Sequence, residues 1–279
     1  MTQDYLDYEP DFDDPLEVDS YDEVSLWGGM FGEMLFKYLP LRHDQAVLDL
    51  GYGLGFPLLD LAQRLGPTCR VYGIDPWGAA RRRARFKAAR WQVTNAWPLP
   101  GDAAALPFAA ETFDLVVSNL GVNNFADPLA ALLECGRVTR PGACLALTTN
   151  LQGTMREFYE VYEAVLAEMG LDKALEALRK NVAHRATVAG LDELFQRAGF
   201  HIAIVHEQTG LLRYADGSAF LNHFFIKRGF LPDWKEIPEP AHRVEVFARL
   251  EAQLNRLAEA RGELALTIPM AYVEAERIS

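Results

Sequence analysis

The stretch Val47-Leu48-Asp49-Leu50-Gly51-Tyr52-Gly53-Leu54-Gly55 decides how the rest of this chain is read. A short apolar strand carrying an acid runs into three glycines at alternate positions. A helix-like segment, Phe56 to Leu65, follows. Glycine lets the backbone turn sharply and leaves room for a ligand to lie against it. By itself such a run fits several nucleotide ligands, and also a plain glycine-rich turn. Two neighbours narrow the choice. Asp75 follows the next strand-like segment, Arg70 to Ile74, 20 residues after Gly55. An acid there accepts hydrogen bonds from ribose hydroxyls. A dinucleotide site would place its third glycine at position 56, which is Phe56. Asp49 beside the loop suits a ligand bearing an amino group rather than a pyrophosphate.

Outward from the loop, strand-like and helix-like segments alternate. Ala79 to Arg90 reads as a strongly basic helix, Phe113 to Asn119 as a strand and Pro128 to Val138 as a helix. Pro141-Gly142 makes a turn before the strand Cys144 to Thr149. This order predicts an α/β fold with a mostly parallel sheet covered on both faces. Upstream, Leu26, Met30, Met34 and Leu35 recur at helical spacing within 21–39, and Pro40 ends that helix. Residues 1–20 read as a loose acidic arm, ordered only where Tyr5, Leu6 or Tyr8 finds a surface. Downstream, 154–182 is helical with a break at Gly170. Leu191 to Ala198 is a helix capped by Gly199, and His201 to His206 alternates as a strand. Leu264 to Val273 is the last strand. Before it, an insertion at 209–262 carries Phe220, Phe224, Phe225, Phe230 and Trp234, which suggest an apolar pocket. The expected division is an arm and lid helix (1–40), a core (41–208), the insertion as acceptor lid (209–262) and a closing strand (263–279).

Half of the 279 residues are hydrophobic, enough for one large core, and the net charge is -12. An acidic chain repels a phosphate backbone, so nucleic acid is not an expected partner. Cys69, Cys135 and Cys144 are odd in number and lack metal-ligand spacing, which predicts no metal site and a reducing, cytoplasmic setting. The chain shows no signal-like start and no run long enough to span a membrane, so no membrane association is expected. The basic run Arg81, Arg82, Arg83, Arg85, Lys87 and Arg90 reads as a solvated helix face offsetting the acidic arm. The six histidines form no pair with catalytic spacing, and His223 is read as solvated or structural.

The ordered motifs resemble those of the class I S-adenosylmethionine (SAM)-dependent methyltransferases, and within them the small-molecule type-11 domain group. Val47 to Gly55 is similar to the family's first motif and Asp75 to its second. Gly101 to Phe108 resembles the third, Phe113 to Ser118 the fourth and Arg137 to Ala143 the fifth. The resemblance implies a Rossmann-like, doubly wound, seven-stranded sheet with the last strand antiparallel. It implies that Asp49, Gly51, Tyr52, Gly53 and Gly55 hold the methionine end of SAM. Asp75 and Pro76 would lie at the ribose, Asp102 and Ala103 at the adenine, and Asn119 beside the methionine moiety. It also implies a small-molecule methyl acceptor.

Three departures stand out. Tyr52 is bulkier than the Cys or Ser frequent at its position. Ala143 replaces a usual Gly. Pro98 and Pro100 fall on the third strand, which suits only an edge strand. Tyr21, Trp27, Phe31 and Tyr52 are candidates for an aromatic wall at the sulfonium, with core packing as the plainer role. No catalytic base is identifiable. Oxygen, nitrogen and carbon acceptors, and the oligomeric state, stay open. Two other readings also stand: a SAM-binding protein without catalysis, left open by Tyr52, and another enzyme on this scaffold, such as an aminopropyl transferase or a nicotinamide dehydrogenase.

Overall fold

Five residues, Ala46–Leu50, form strand β1, buried along its whole length. It lies in the sheet's interior, where both faces are covered, and so it reads as a continuous apolar run broken only by Asp49. A computed structural model describes residues 3–23 and 26–278 of the chain. The sheet adds β2 (Arg70–Asp75), β3 (Ala96–Pro100), β4 (Phe113–Asn119), β5 (Thr139–Asn150), β6 (Phe200–Tyr214) and β7 (Leu264–Arg277). Its order is β3-β2-β1-β4-β5-β7-β6. β1 pairs in parallel with β2 and β4, β2 with β3, and β4 with β5, whereas β5 and β7 are antiparallel. This is the expected Rossmann-like sheet. β3 lies at its edge, where Pro98 and Pro100 take no donor from a central ladder.

The chain divides into two compact units. One comprises Phe12–Asn150, Ala186–Gln208 and Met270–Ser279, and the other Met1–Asp11, Leu151–Arg185 and Thr209–Pro269. In the first, the helices are α1 (Pro15–Glu23), α2 (Leu26–Tyr38), α3 (Leu58–Leu65), α4 (Gly78–Arg90), α5 (Pro128–Val138) and α8 (Val188–Arg197). α3 buries Leu58, Leu59, Leu61, Ala62 and Leu65 on one face. α5 starts at Asp127, whose carboxylate accepts from the Ala130 amide at 2.9 Å, followed by a proline at the first helical position.

Several boundaries differ from the sequence reading. Part of the expected loose arm is α1. The Asp14 side chain accepts from the Leu16 amide at 3.0 Å, Pro15 opens the helix and Val18 is buried. The single helix expected over 21–39 is α2 on its C-terminal side, and Val24 and Ser25 lie outside the described residues. β5 begins at Thr139 rather than Cys144, because the ladder steps from Phe113↔Thr139 to Leu115↔Cys144 and bulges across Arg140–Ala143. β6 and β7 both run past their expected ends, so 209–214 of the insertion is strand.

In the second unit the helices are α6 (Arg156–Glu168), α7 (Asp172–Ala183), α9 (Gly217–Asn222), α10 (Phe224–Gly229), α11 (Leu231–Lys235) and α12 (Pro240–Arg261). Gly170, at φ +66°, breaks α6 from α7 as its position predicts. The aromatic residues expected to line a pocket mostly form this unit's own core. Phe220, Phe225 and Trp234 are buried, together with Phe158, Tyr162 and Phe247. His223 packs edge-on against Tyr214, in keeping with a structural histidine. Tyr5 is buried and its hydroxyl donates to Glu251 at 3.0 Å, which orders the start of the arm.

Candidate active site

The site is built where β1, β2 and β4 end, within the first unit. Gly51, Gly53 and Gly55 all have positive φ, at 77°, 51° and 105°. At Gly51 the Gly121 Cα would lie 3.2 Å from an added Cβ, so the turns after β1 and β4 meet backbone to backbone. Gly121 was not singled out in the sequence. A Cβ there would stand 2.5 Å from Ser118 Oγ and 2.6 Å from the Leu50 carbonyl oxygen. Ser118 Oγ donates to that same carbonyl at 2.9 Å, tying β4 to β1. Beside Gly53, by contrast, a Cβ would meet nothing within 4 Å. The middle glycine therefore borders open space.

Asp49 is fully buried, and neither carboxylate oxygen has a hydrogen-bond partner of ordinary geometry. Burial, and secondarily the negative charge of Asp75, pushes its pKa well above the usual carboxylate range, with the Leu58 amide nearby opposing the rise only weakly. Asp75 is also buried. One oxygen accepts from the Gly53 amide and the other from the Trp77 amide, each at 2.8 Å. Its pKa is raised by burial, and those two amides oppose the rise. An ionised carboxylate accepts at about four sites, so Asp75 holds the glycine loop and keeps acceptor capacity for a ligand. Pro76 beside it is exposed.

Tyr52 turns away from the open side. Its ring is wholly buried beneath the loop, and its hydroxyl donates to the Leu99 carbonyl at 3.2 Å. Burial raises its pKa, with the charge of Asp75 adding to the effect. Only the Tyr52 backbone belongs to the loop surface, its carbonyl accepting from Gly55 at 2.9 Å.

Asp102 is exposed and accepts from the Ala104 amide at 2.9 Å, closing a tight turn that buries Ala103. Glu134 and Arg137 on α5 hold the rest of that loop. Glu134 accepts from the Leu106 amide at 2.7 Å. Arg137 donates to the carbonyls of Leu106 at 2.9 Å and Phe108 at 2.7 Å. The two side chains also pair with each other at 2.7 Å. Sequence reading missed Glu134, whose only signal is its place one turn before Arg137.

Asn119 ends β4, and both ends of its amide are engaged. Nδ2 donates to the Gly28 carbonyl of α2 at 3.1 Å, and Oδ1 accepts from Thr148 Oγ1 at 2.7 Å. α2 also packs close to the loop, since an added Cβ on Gly32 would overlap the Phe56 ring at 2.1 Å. Of the aromatic candidates, Phe31 and Tyr52 are core. Tyr21 packs with Val18, Leu54, Ala79, Ala80 and Trp77, and Trp27 is half-buried against Phe31. The basic helix α4 is partly neutralised by α1, as expected, but Lys87 of that run is buried rather than solvated. Arg83 meets Asp22 at 2.9 Å and Asp19 at 3.4 Å, and Lys87 meets Asp22 at 2.8 Å.

Known proteins are similar to this chain in sequence and in fold. Residues 48–147 match the family model described as a methyltransferase domain. The chain is similar to a demethylmenaquinone methyltransferase of Lactococcus lactis, at 28% identity over 78% of this chain and 85% of that protein. It is 31% identical to the protein of the same name from Lactiplantibacillus plantarum, over 57% of this chain and 72% of that one. In fold it is similar to a SAM-dependent methyltransferase from Aquifex aeolicus, at a TM-score of 0.53 and 22% identity, covering 69% of this chain and 91% of that one. With its sheet order, glycine loop and strand-end acids, the chain belongs to the class I SAM-dependent methyltransferases.

Proposed function

We propose that the protein binds SAM across Asp49–Gly55, Asp75–Pro76, Asp102–Ala103 and Asn119, and catalyses transfer of its methyl group to a small-molecule acceptor. The observation that carries this reading is Asp49. A fully buried carboxylate with both oxygens unpartnered lacks a cationic donor, and the ligand's amino group supplies one. The open space at Gly53 and the spare acceptor capacity of Asp75 fit the rest of the ligand. When bound, SAM supplies an activated sulfonium methyl, so the reaction is an in-line displacement.

The protein's own contribution is positional. Asp75 would orient the ribose, and it keeps the glycine loop closed through Gly53. Asp102 would hold the adenine amino group, and Ala103 would offer its backbone to the ring. Glu134 and Arg137 hold that turn rigid. Asn119 fixes the end of β4 against α2. Tyr52 contributes through its backbone. Its ring lies in the core, and nothing supports the non-catalytic reading that its bulk had left open.

The relatives named for demethylmenaquinone act on a small molecule, which supports an acceptor of that class here. The net charge of -12 speaks against nucleic acid. Among the described residues no helix is long and apolar enough to cross a membrane. The free Cys69, Cys135 and Cys144 fit a reducing cytoplasm. Calorimetry with SAM and S-adenosylhomocysteine tests the reading. Binding of both is expected, and absence of either from folded protein overturns it. A labelled-methyl screen over small-molecule acceptors then tests turnover.

A further inference from the structure

Arg185, just after α7 in the second unit, has no counter-charge among the described residues. Its Nη2 donates to the Tyr159 hydroxyl at 2.6 Å, and its guanidinium carbon lies 4.8 Å from that ring's centroid. Nη1 is closed off from solvent and has no hydrogen-bond partner. Tyr159, on α6, is buried, and its oxygen accepts a second bond from Trp234 Nε1 at 2.9 Å. Indole and guanidinium nitrogens only donate. Both lone pairs of the hydroxyl are therefore used. What remains is its proton, for which no described residue supplies an acceptor.

The cluster thus consists of donors and one positive charge. The Tyr159 ring face offsets part of that charge but provides no oxygen lone pair. Leaving such donors enclosed and unsatisfied is costly, more so for a charged group. The complement is an oxyanion. The surroundings are aromatic: Phe158 lies 4.1 Å from Trp234 between ring centroids, and Phe230 stacks on Trp234 at 5.5 Å. Such walls suit an apolar body behind the charge. Arg185 is half-buried and lies beyond the helix end.

We propose that Arg185 and Tyr159 form a binding site for the carboxylate of an organic acid with an aromatic body, the guanidinium and the phenol hydrogen both donating to its oxygens. The site goes beyond the methyl-transfer reading and does not depend on it.

Calorimetry of the full chain with benzoate and with benzamide, its neutral isostere, tests the proposal. Benzoate is expected to bind at least tenfold more tightly than benzamide. Tyr159→Phe and Arg185→Gln should each weaken benzoate tenfold or more, and Arg185→Lys should restore part of the loss. Equal affinity for the two ligands, no benzoate binding to the unaltered chain, or unchanged benzoate affinity in the variants would overturn it. Circular dichroism checks each variant, and should Arg185→Gln fail to fold, Tyr159→Phe decides. Titration with S-adenosylhomocysteine is separate, so failure of cofactor binding and failure of this site remain distinguishable.

Discussion

The ring of Tyr52 occupies the space a side chain on Gly73 would need: a Cβ built there would stand 2.6 Å from Tyr52 Cδ1 and 2.9 Å from Leu58 Cδ2. The bulky loop residue and the bare strand position are therefore one packing unit. Gly73→Ala is expected to cost about 1–3 kcal/mol by overpacking. Tyr52→Ser relieves that overlap, so the double variant should be more stable than the sum of the single losses predicts. Urea unfolding of the four proteins measures the coupling, and additive losses would refute it.

Asp49→Asn should separate binding from stability. It removes a carboxyl whose ionised form is disfavoured by burial, so the ligand-free protein should melt at a higher temperature at neutral pH. Affinity for S-adenosylhomocysteine should fall by about 1–3 kcal/mol. The pH dependence follows from the raised pKa values of Asp49 and Asp75. A group whose pKa is raised by folding favours the fold while protonated, and that contribution is lost as pH rises through the folded value. On the proposed reading, ligand binding needs the ionised form. Cofactor affinity should therefore weaken on acidification from a pH well above 3.8, the ordinary value for Asp. In the Asp49→Asn variant this sensitivity should shrink to what Asp75 contributes. Calorimetry across pH reads both effects.

Much of this was legible in the sequence because it is local. Alternating glycines, strand-end acids and prolines on β3 each state a backbone requirement, and order along the chain supplies the topology. What stayed hidden depends on distant neighbours. That Tyr52 points inward depends on Gly73, 21 residues away. Gly121 matters because Leu50 and Ser118 crowd it. The insertion's aromatic residues could line a pocket or fill a core with the same spacing, and only burial decided for the core. The arm's helix α1 carried its signal, Asp14-Pro15, inside a run whose acidity suggested disorder.

Glu134→Ala should loosen the turn at 101–108 without unfolding the protein. The Leu106 amide loses its acceptor, and Arg137 loses the partner that aims it at Leu106 and Phe108. Affinity for S-adenosylhomocysteine should drop by about 0.5–1.5 kcal/mol. Hydrogen exchange should quicken at Leu106. Unaltered exchange there would argue that α5 does not restrain the loop.

Asp22 anchors a cation that has little water, since the Lys87 side chain is 11% exposed and that of Asp22 16%. Asp22→Ala should destabilise by about 2–3 kcal/mol, somewhat below the range for fully enclosed pairs. Asp22→Leu combined with Lys87→Met should recover most of it, because the enclosed lysine charge goes with its partner and Arg83 keeps Asp19. Thermal melts of the two variants compare them directly, and equal losses would contradict the account.

The unpartnered carboxylate of Asp49 also bears on how long the protein survives in a cell. Burying a carboxyl that would ionise in the open chain costs stability at neutral pH, so the fold opens more often, and proteases act on the open form. A ligand that binds only the folded state suppresses that opening in proportion to its concentration. With SAM as that ligand, the steady-state amount of this protein would rise and fall with SAM supply, through degradation rather than synthesis.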